Sequence, residues 1–504
     1  MINKYFILLL FLIIPVFSNA QIAFQKAYYQ MSLYQSLTKP TSDDGYIMSG
    51  QCYSSTTNED AFLMKLNAFG DTLWTKSYAH PGYDDGKNVI QANDGGFFMV
   101  ASSYVLKTDS IGQPLWSRSF YSQFDANVFC AVESTNGDLI IAGRVYFSAP
   151  NPEQLLIAKL DSNGNLLFAK SFGAFHSFSP SSIHITNDNG YIISGQSDYV
   201  GPNNDGVLIK TDSSGNPLWT RKYGSNQADW FNYAIQLNDG SFMAIGASVS
   251  NYGIFLVKAD TSGNLLWAKT YKINPFSSYN LGYMINKTSD NNLVFCGKTS
   301  GGETPLLGKI DTSGSVIWVK GYRPVIASVN ACFNSVFETS DLGLIASGYF
   351  APSSSGYLYL IKTDSAGNSN CFVNNYSLTV MPLISKDSSF IYTTTNSNIT
   401  NLTVQAECFC DTSNTLCIGT GLEAFHSVSS INVSPNPFSN KLDISMGSEM
   451  LYKIILYDIS GRNLLQRKFT NSVSLNTEQL AKGLYLYEVR GKNGLCKKGK
   501  VVKD

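Results

Sequence analysis

Apolar residues along the chain come in short runs that alternate with polar positions at a period of two, each run closed by a turn rich in Gly, Asp and Asn. This pattern predicts many short β-strands; amphipathic helices would repeat their apolar face about every 3.6 residues. One landmark is a turn leading into an apolar strand that ends in a small residue, as in Asp43-Asp44-Gly45-Tyr46 to Gly50. It occurs seven times, ending at Gly50, Ala101, Gly143, Gly195, Gly246, Gly297 and Gly348, and most copies lie 51 or 52 residues apart. A second landmark follows in each unit, an apolar strand running through Lys into a Gly turn, as in Leu208-Ile209-Lys210-Thr211-Asp212-Ser213-Ser214-Gly215. Its glycines are Gly70, Gly112, Gly164, Gly215, Gly263, Gly314 and Gly367. A strand with an aromatic at one end comes next, Trp74-Thr75-Lys76-Ser77-Tyr78 and versions from Trp116, Phe168, Trp219, Trp267 and Trp318, with one face set to pack and the other to meet solvent.

The seventh unit lacks this last strand, because Gly367 runs into Asn368-Ser369-Asn370-Cys371. The missing form lies at the other end of the chain, in Phe24-Gln25-Lys26-Ala27-Tyr28. A ring in which the N-terminal strand completes the last sheet leaves no open edge between first and last units. The sequence therefore predicts an all-β fold, a seven-bladed β-propeller of four-stranded blades over residues 21–372. The stretch Asp212-Ser213-Ser214-Gly215-Asn216-Pro217-Leu218-Trp219 and its copies resemble the tryptophan-bearing repeats of quinoprotein propellers. Those enzymes have eight blades, a quinone with calcium and commonly an adjacent cysteine pair, so the resemblance implies the fold and no cofactor is carried over.

Lys and Arg number 36 against 37 Asp and Glu. No basic excess exists to neutralise phosphates, which argues against nucleic acid as a partner. Residues 1–20 read as a signal peptide, with Lys4, an apolar run from Phe6 to Phe17 and the small-residue site Ser18-Asn19-Ala20; no membrane span is expected in the mature chain. Of the nine cysteines, Cys52, Cys130, Cys296 and Cys332 fall in apolar strands and read as buried thiols. Cys371, Cys408, Cys410 and Cys417 crowd into a Ser/Thr/Asn-rich stretch, residues 373–425 and its border. In an exported chain they are disulfide candidates, with three pairings open.

A separate unit is predicted over residues 426–504, a small Ig-like β-sandwich built from Ile431 to Phe438, Ile454 to Arg462 and Gly483 to Val489. Its markers are Pro435, Asn436, Pro437, Gly461, Arg462, Gly483 and Tyr485, followed by the basic end Lys497 to Lys503. These segments are similar to the type A C-terminal sorting domain of the type IX secretion system of Bacteroidetes. The resemblance implies export through the periplasm and across the outer membrane, type IX machinery as a partner, and a secreted or cell-surface location.

Features present in every blade read as scaffold, because a catalytic group must converge at one place. Turns such as Asp161-Ser162-Asn163-Gly164-Asn165 lack the ligand pattern of a calcium loop and read as hairpin turns. The four histidines, His80, His176, His184 and His426, have no metal-ligand spacing, and no metal site is expected. Loops before the first strand and between the second and third strands of each blade emerge on one face. That face carries Tyr53, Tyr83, Phe124, Tyr146 and Phe175, then Tyr199, Trp230, Tyr252 and Phe276, interleaved with acids. Aromatic rings beside acids and amides suit a sugar, whose apolar faces stack while its hydroxyls bond, although loop aromatics also pack between blades. The leading reading is a non-enzymatic binding or adhesion module for a glycan or surface protein. Its rivals are a structural matrix component and a polysaccharide-acting glycosidase or lyase using Asp84, Asp125, Asp205 or Asp229, for which two carboxylates about 5 to 9.5 Å apart are required.

Overall fold

A computed structural model describes the chain except residues 1–21, 29–36, 55–57, 80–84, 121–125, 147–152, 174–176, 199–203, 251, 275–278, 300–303, 323–329, 352–355, 370–372, 383–385, 390–392, 397–399, 403–404, 409–412, 419–430, 447–450, 459–462 and 492–493. The described residues are all-β, and no helix long and apolar enough to cross a membrane occurs among them. They divide into two compact units, residues 1–419 and 420–504.

The first unit is a β-propeller whose described residues form seven five-stranded sheets. Numbered along the chain, blades 1 to 6 take their four chain-consecutive strands from residues 37–79, 86–119, 127–173, 177–224, 229–274 and 280–322. Blade 7 takes three from residues 330–363, and Phe24–Tyr28 supplies its fourth, running antiparallel to Tyr357–Thr363 with Phe24 opposite Lys362 and Tyr28 opposite Leu358. The closure expected from the sequence is thus made by the N-terminal strand. First strands of successive blades contact one another around the ring, blade 1 against blade 7 included, so they line the axis.

The repeated residues weld each blade to the next. The aromatic of a fourth strand lies flat on the turn glycine of the following blade, as Trp116 does on Gly164, whose φ of 77° favours glycine and whose missing Cβ would lie 2.8 Å from the indole. The tyrosine two turns of the pleat further on donates to that glycine's carbonyl, from Tyr28, Tyr78, Tyr223, Tyr271 and Tyr322, at 2.5 to 2.8 Å. Inside each blade a third-strand lysine pairs with the aspartate of the first turn. The seven pairs are Lys65–Asp43, Lys107–Asp94, Lys159–Asp138, Lys210–Asp188, Lys258–Asp239, Lys309–Asp290 and Lys362–Asp341, at 2.7 to 2.9 Å. The turn that resembled a calcium loop is capped by its own aspartate, with Asp161 Oδ1 accepting from the Asn163 and Asn165 amides.

Residues 373–418 depart from the irregular connector that composition suggested. They carry seven short strands that add a fifth, outermost strand to every blade, in reverse order: Val373–Asn375 on blade 6, Ser377–Pro382 on blade 5, Lys386–Ser389 on blade 4, Thr393–Asn396 on blade 3, Thr400–Leu402 on blade 2, Gln405–Cys408 on blade 1, and Ser413–Ile418 on the closing strand of blade 7. The segment is a belt around the propeller. Apolar alternation does not mark it because a rim strand attaches through its backbone and needs no buried face.

The first-turn aspartates give the fold an acid-sensitive limb. Burial pushes the Asp188 and Asp239 carboxyls up, but hydrogen bonds outweigh it, from Thr186 and Lys210 in one case and Ser241 and Lys258 in the other, and bring both down to about 2. Depressed below the unfolded value of about 3.9, they stabilise the fold above that pH, and the contribution is lost as pH falls through the folded values. Thermal midpoints measured across this window are expected to drop steadily from about pH 4 to pH 2, with a shallower drop in an Asp188→Asn, Asp239→Asn double variant.

The second unit has a three-stranded sheet, Ile431–Ser434, Lys441–Met446 and Ser472–Asn476, and a four-stranded one ordered Asn463–Thr470, Leu451–Tyr457, Gly483–Gly491 and Gly494–Lys503. Phe438, Leu442, Ile444, Tyr452, Ile454, Tyr485, Val489 and Val501 share its core.

Candidate functional site

With the repeated residues committed to the weld, the groups left for function are those that break the repeat. One set lies where the loops of blades 4, 5 and 6 meet. Asp229 opens the first strand of blade 5 with no exposed surface. Its Oδ2 accepts from the Ser225 amide at 2.5 Å and the Ser225 hydroxyl at 2.8 Å, while Oδ1 finds no hydrogen-bond partner among the described residues. Burial pushes this carboxyl above its ordinary range against the pull of Ser248 and Ser225. A chain of hydroxyls extends outward, Ser225 to Ser250 at 2.9 Å and Ser250 to Ser248 at 3.1 Å. Asp205, half-buried at the start of the third strand of blade 4, converges on the same place. A Cβ on Gly224 would overlap Asp205 Oδ1 and lie 3.1 Å from Asp229 Oδ2, so only glycine leaves room for both acids.

Beside them Tyr252 and Tyr279 stand edge to face with ring centroids 4.6 Å apart. They are 41% and 39% exposed. Tyr252 has a φ of 52°, a left-handed conformation that a bulky residue adopts only under constraint. The constraint is Asn280, whose amide and Nδ2 both donate to the Tyr252 carbonyl, at 3.1 and 3.2 Å. Trp230, one residue after Asp229, is half-buried.

A second set lies on blades 2 and 3. Lys87 Nζ stands 4.3 Å from the centre of the Phe129 ring and 3.9 Å from Asp85 Oδ2. Arg144 faces the same ring and that of Tyr146, both at 5.9 Å. It pairs with Glu153 at 2.8 Å and reaches the Ser179 hydroxyl. Lys87 and Phe129 occupy the bulged position of their first strands, where the extra residue turns a side chain off the ladder.

Of the residues singled out from sequence, the structure brings Asp205 and Asp229 together with Trp230 and Tyr252, and places Tyr146 in the Lys87–Arg144 set. Tyr53 is paired through its backbone opposite Glu59. Tyr83, Phe124, Phe175, Tyr199, Phe276, Asp84 and Asp125 lie outside the described residues, as do Cys371, Cys410, Gly461 and Arg462. Cys408 and Cys417 fall in belt strands on blades 1 and 7. Cys52, Cys130, Cys296 and Cys332 are buried free thiols. In the second unit Asn436 accepts from the Val502 amide at 2.8 Å, and Tyr485 bonds the Ala481 carbonyl at 2.6 Å against Phe438. Pro435, Pro437 and Gly483 are exposed. Sequence reasoning missed Lys87; the available signal was a charge at the bulged first-strand position, which is uncharged in blades 3 to 7.

Residues 432–504 match the family described as the secretion system C-terminal sorting domain. No curated protein sequence matches the chain. Among solved structures, the chain is similar to a protein of unknown function from Bacteroides caccae, with 12% identity, 59% of this chain and 93% of that one covered, and a TM-score of 0.38. It is also similar to the WD40 domain of Pan2 from Neurospora crassa, with 9% identity, 66% and 89% coverage and a TM-score of 0.38. A third similarity is to the polysaccharide lyase Uly1, with 11% identity, 68% and 100% coverage and a TM-score of 0.41. At these scores none of the three bears on what this chain binds.

Proposed function

We propose that this chain, sent across the outer membrane to the surface or the medium by its type IX sorting domain, is a binding module whose propeller loop face takes up a glycan or a surface protein without reacting with it. The observation that supports the reading is the exposed pair Tyr252 and Tyr279. Two solvent-facing rings held by a strained backbone and by Asn280 cost folding energy that core packing does not return, and such strain concentrates at ligand-contacting positions. Amphipathic rings flanked by hydroxyls and carboxylates offer stacking and hydrogen bonds together, which is what a sugar ring or a polar protein surface requires.

The enzyme reading has one observation in its favour, the convergence of Asp205 and Asp229 with the latter's carboxyl pushed up. A general acid must touch its substrate, however, and Asp229 is wholly enclosed, with one oxygen committed to closing the loop from Ser225. Capping explains it with fewer demands.

Residues 21–418 screened against glycans and polysaccharides are expected to bind without releasing fragments. Tyr252→Ala and Tyr279→Ala are each expected to weaken that binding by about 2 kcal/mol, roughly thirtyfold, as for aromatic anchors in other interfaces, with the melting temperature held within a few degrees. Fragment release that stops in Asp229→Asn would establish the enzyme reading in its place.

A further inference from the structure

The two sheets of the second unit differ in charge. The four strands of the larger sheet hold eight Lys and Arg and one acid, Glu488, whereas the three strands of the smaller sheet hold one of each sign, Lys441 and Asp443. The unit's other acids lie outside these strands. Asp458 follows Leu451–Tyr457, Glu478 is in the turn after the smaller sheet, Asp504 follows the last strand, and Glu423 and Glu449 lie outside the described residues.

Tyr452, Ile454, Leu456, Tyr485, Tyr487, Val489 and Val501 of the larger sheet pack into the core, so the residues that alternate with them stand on its outer face. There Lys453 is in register with Lys468 on one neighbouring strand and with Arg490 on the other. Three basic residues thus occupy one row across three strands. Lys500 lies on the same face opposite Leu486, and Leu484 lies opposite Val502, the last pair 41% and 40% exposed. The side chains of Lys453, Lys468 and Lys500 make no ion pair or hydrogen bond among the described residues. Glu488 is engaged by the Tyr457 hydroxyl, which donates to its Oε2 at 3.2 Å.

The propeller matches each third-strand lysine with an aspartate, but this row is left unmatched. Like charges directly opposite one another destabilise a sheet, and a covering surface of opposite sign turns that cost into attraction. We propose that this outer face is where the sorting unit docks, on an acidic protein surface of the type IX machinery. The match of residues 432–504 to a sorting domain makes the unit a recognition element; the row assigns the side and the sign. A protein fits better than a layer of lipid headgroups, because lysine side chains outreach Leu484 and Val502. A membrane would meet the ammonium groups and leave the apolar pair uncovered, whereas a folded partner presents acids and apolar side chains together. The inference concerns the second unit alone and does not depend on the reading given to the tyrosine pair.

The test is export of the whole chain from a type IX-secreting host, read as the share reaching the surface and medium against the share held in the periplasm. Lys453→Glu with Lys468→Glu is expected to cut the exported share about tenfold, and Lys453→Arg with Lys468→Arg to leave it unchanged. Lys441→Glu, on the smaller sheet, is expected to be exported as the parent is. Lys468→Glu alone places opposite charges in register, so the purified variant is expected to melt no lower than the parent while its export falls. The purified parent is expected not to float with phosphatidylglycerol vesicles. Full export of the double glutamate variant, loss of export in the arginine pair, an equal loss in Lys441→Glu, or a lower melting point in Lys468→Glu would each overturn the proposal. Vesicle binding that Lys468→Glu abolishes would overturn it too, by assigning the face to a lipid.

Discussion

A chain that begins at residue 29 is expected to lose the closed ring, unfolding at far lower denaturant than one that begins at residue 21 and eluting partly as aggregate. The removed strand buries Phe24 and Tyr28 almost completely, at 2% and 0% exposure. Each large apolar side chain contributes about 1.5 to 3 kcal/mol by burial. Gln25 bonds Ser369 and Tyr359, and Tyr28 bonds the Gly70 carbonyl of blade 1. Lys26 pairs with Asp71 of the same blade at 2.5 Å. One five-residue strand therefore serves as the fourth strand of blade 7 and as the weld to blade 1. Its loss is expected to cost on the order of 5 kcal/mol or more, much of the margin of about 5 to 15 kcal/mol that a typical domain has. Phe24→Ala gives the graded version, about 3 to 5 kcal/mol. A synthetic peptide of residues 21–30 added to the truncated chain is expected to restore part of the loss by strand addition. Unchanged stability in the truncated chain would contradict the role given to this strand.

The closure and the blades were legible because each unit repeats the same solution: an aromatic to cover a turn glycine, a tyrosine to bond it, a lysine to meet a turn aspartate. Seven copies of the aromatic, the glycine and the Lys–Asp pair, with the tyrosine in five and Phe120 and Phe172 in its place in the other two, leave little freedom in register at nearly constant spacing. The belt was not legible, since Ser, Thr and Asn at a sheet rim satisfy the backbone ladder without an apolar period, and the same composition reads as a linker. The site was legible in part. Asp205, Asp229 and Tyr252 were marked by their loop positions, but their convergence at Gly224 depends on strand register between two blades.

A chain ended at residue 372 is expected to self-associate where one ended at 418 stays monomeric, and to melt several degrees lower. The belt strands are short, from three residues at Val373–Asn375 to six at Ser413–Ile418. Each added hydrogen bond contributes about 0.5 to 1.5 kcal/mol net, and ordering each residue costs a similar 1 to 2 kcal/mol, so the gain in folding free energy is modest. The larger consequence is at the edges. Without the belt, the outermost strands of all seven blades present unpaired donors and acceptors, which are templates for pairing with another copy. Sedimentation and thermal melts of the two truncations separate these effects, and equal behaviour in both would mean that the belt contributes neither. A chain ended at 412 sharpens the comparison, because it keeps six belt strands and removes the seventh. Phe24–Tyr28 then loses one of its two neighbours, and the defect is expected to appear as selective loss of amide-exchange protection in blade 7. That outcome would tie the belt to the closure, since its last strand holds down the first strand of the ring.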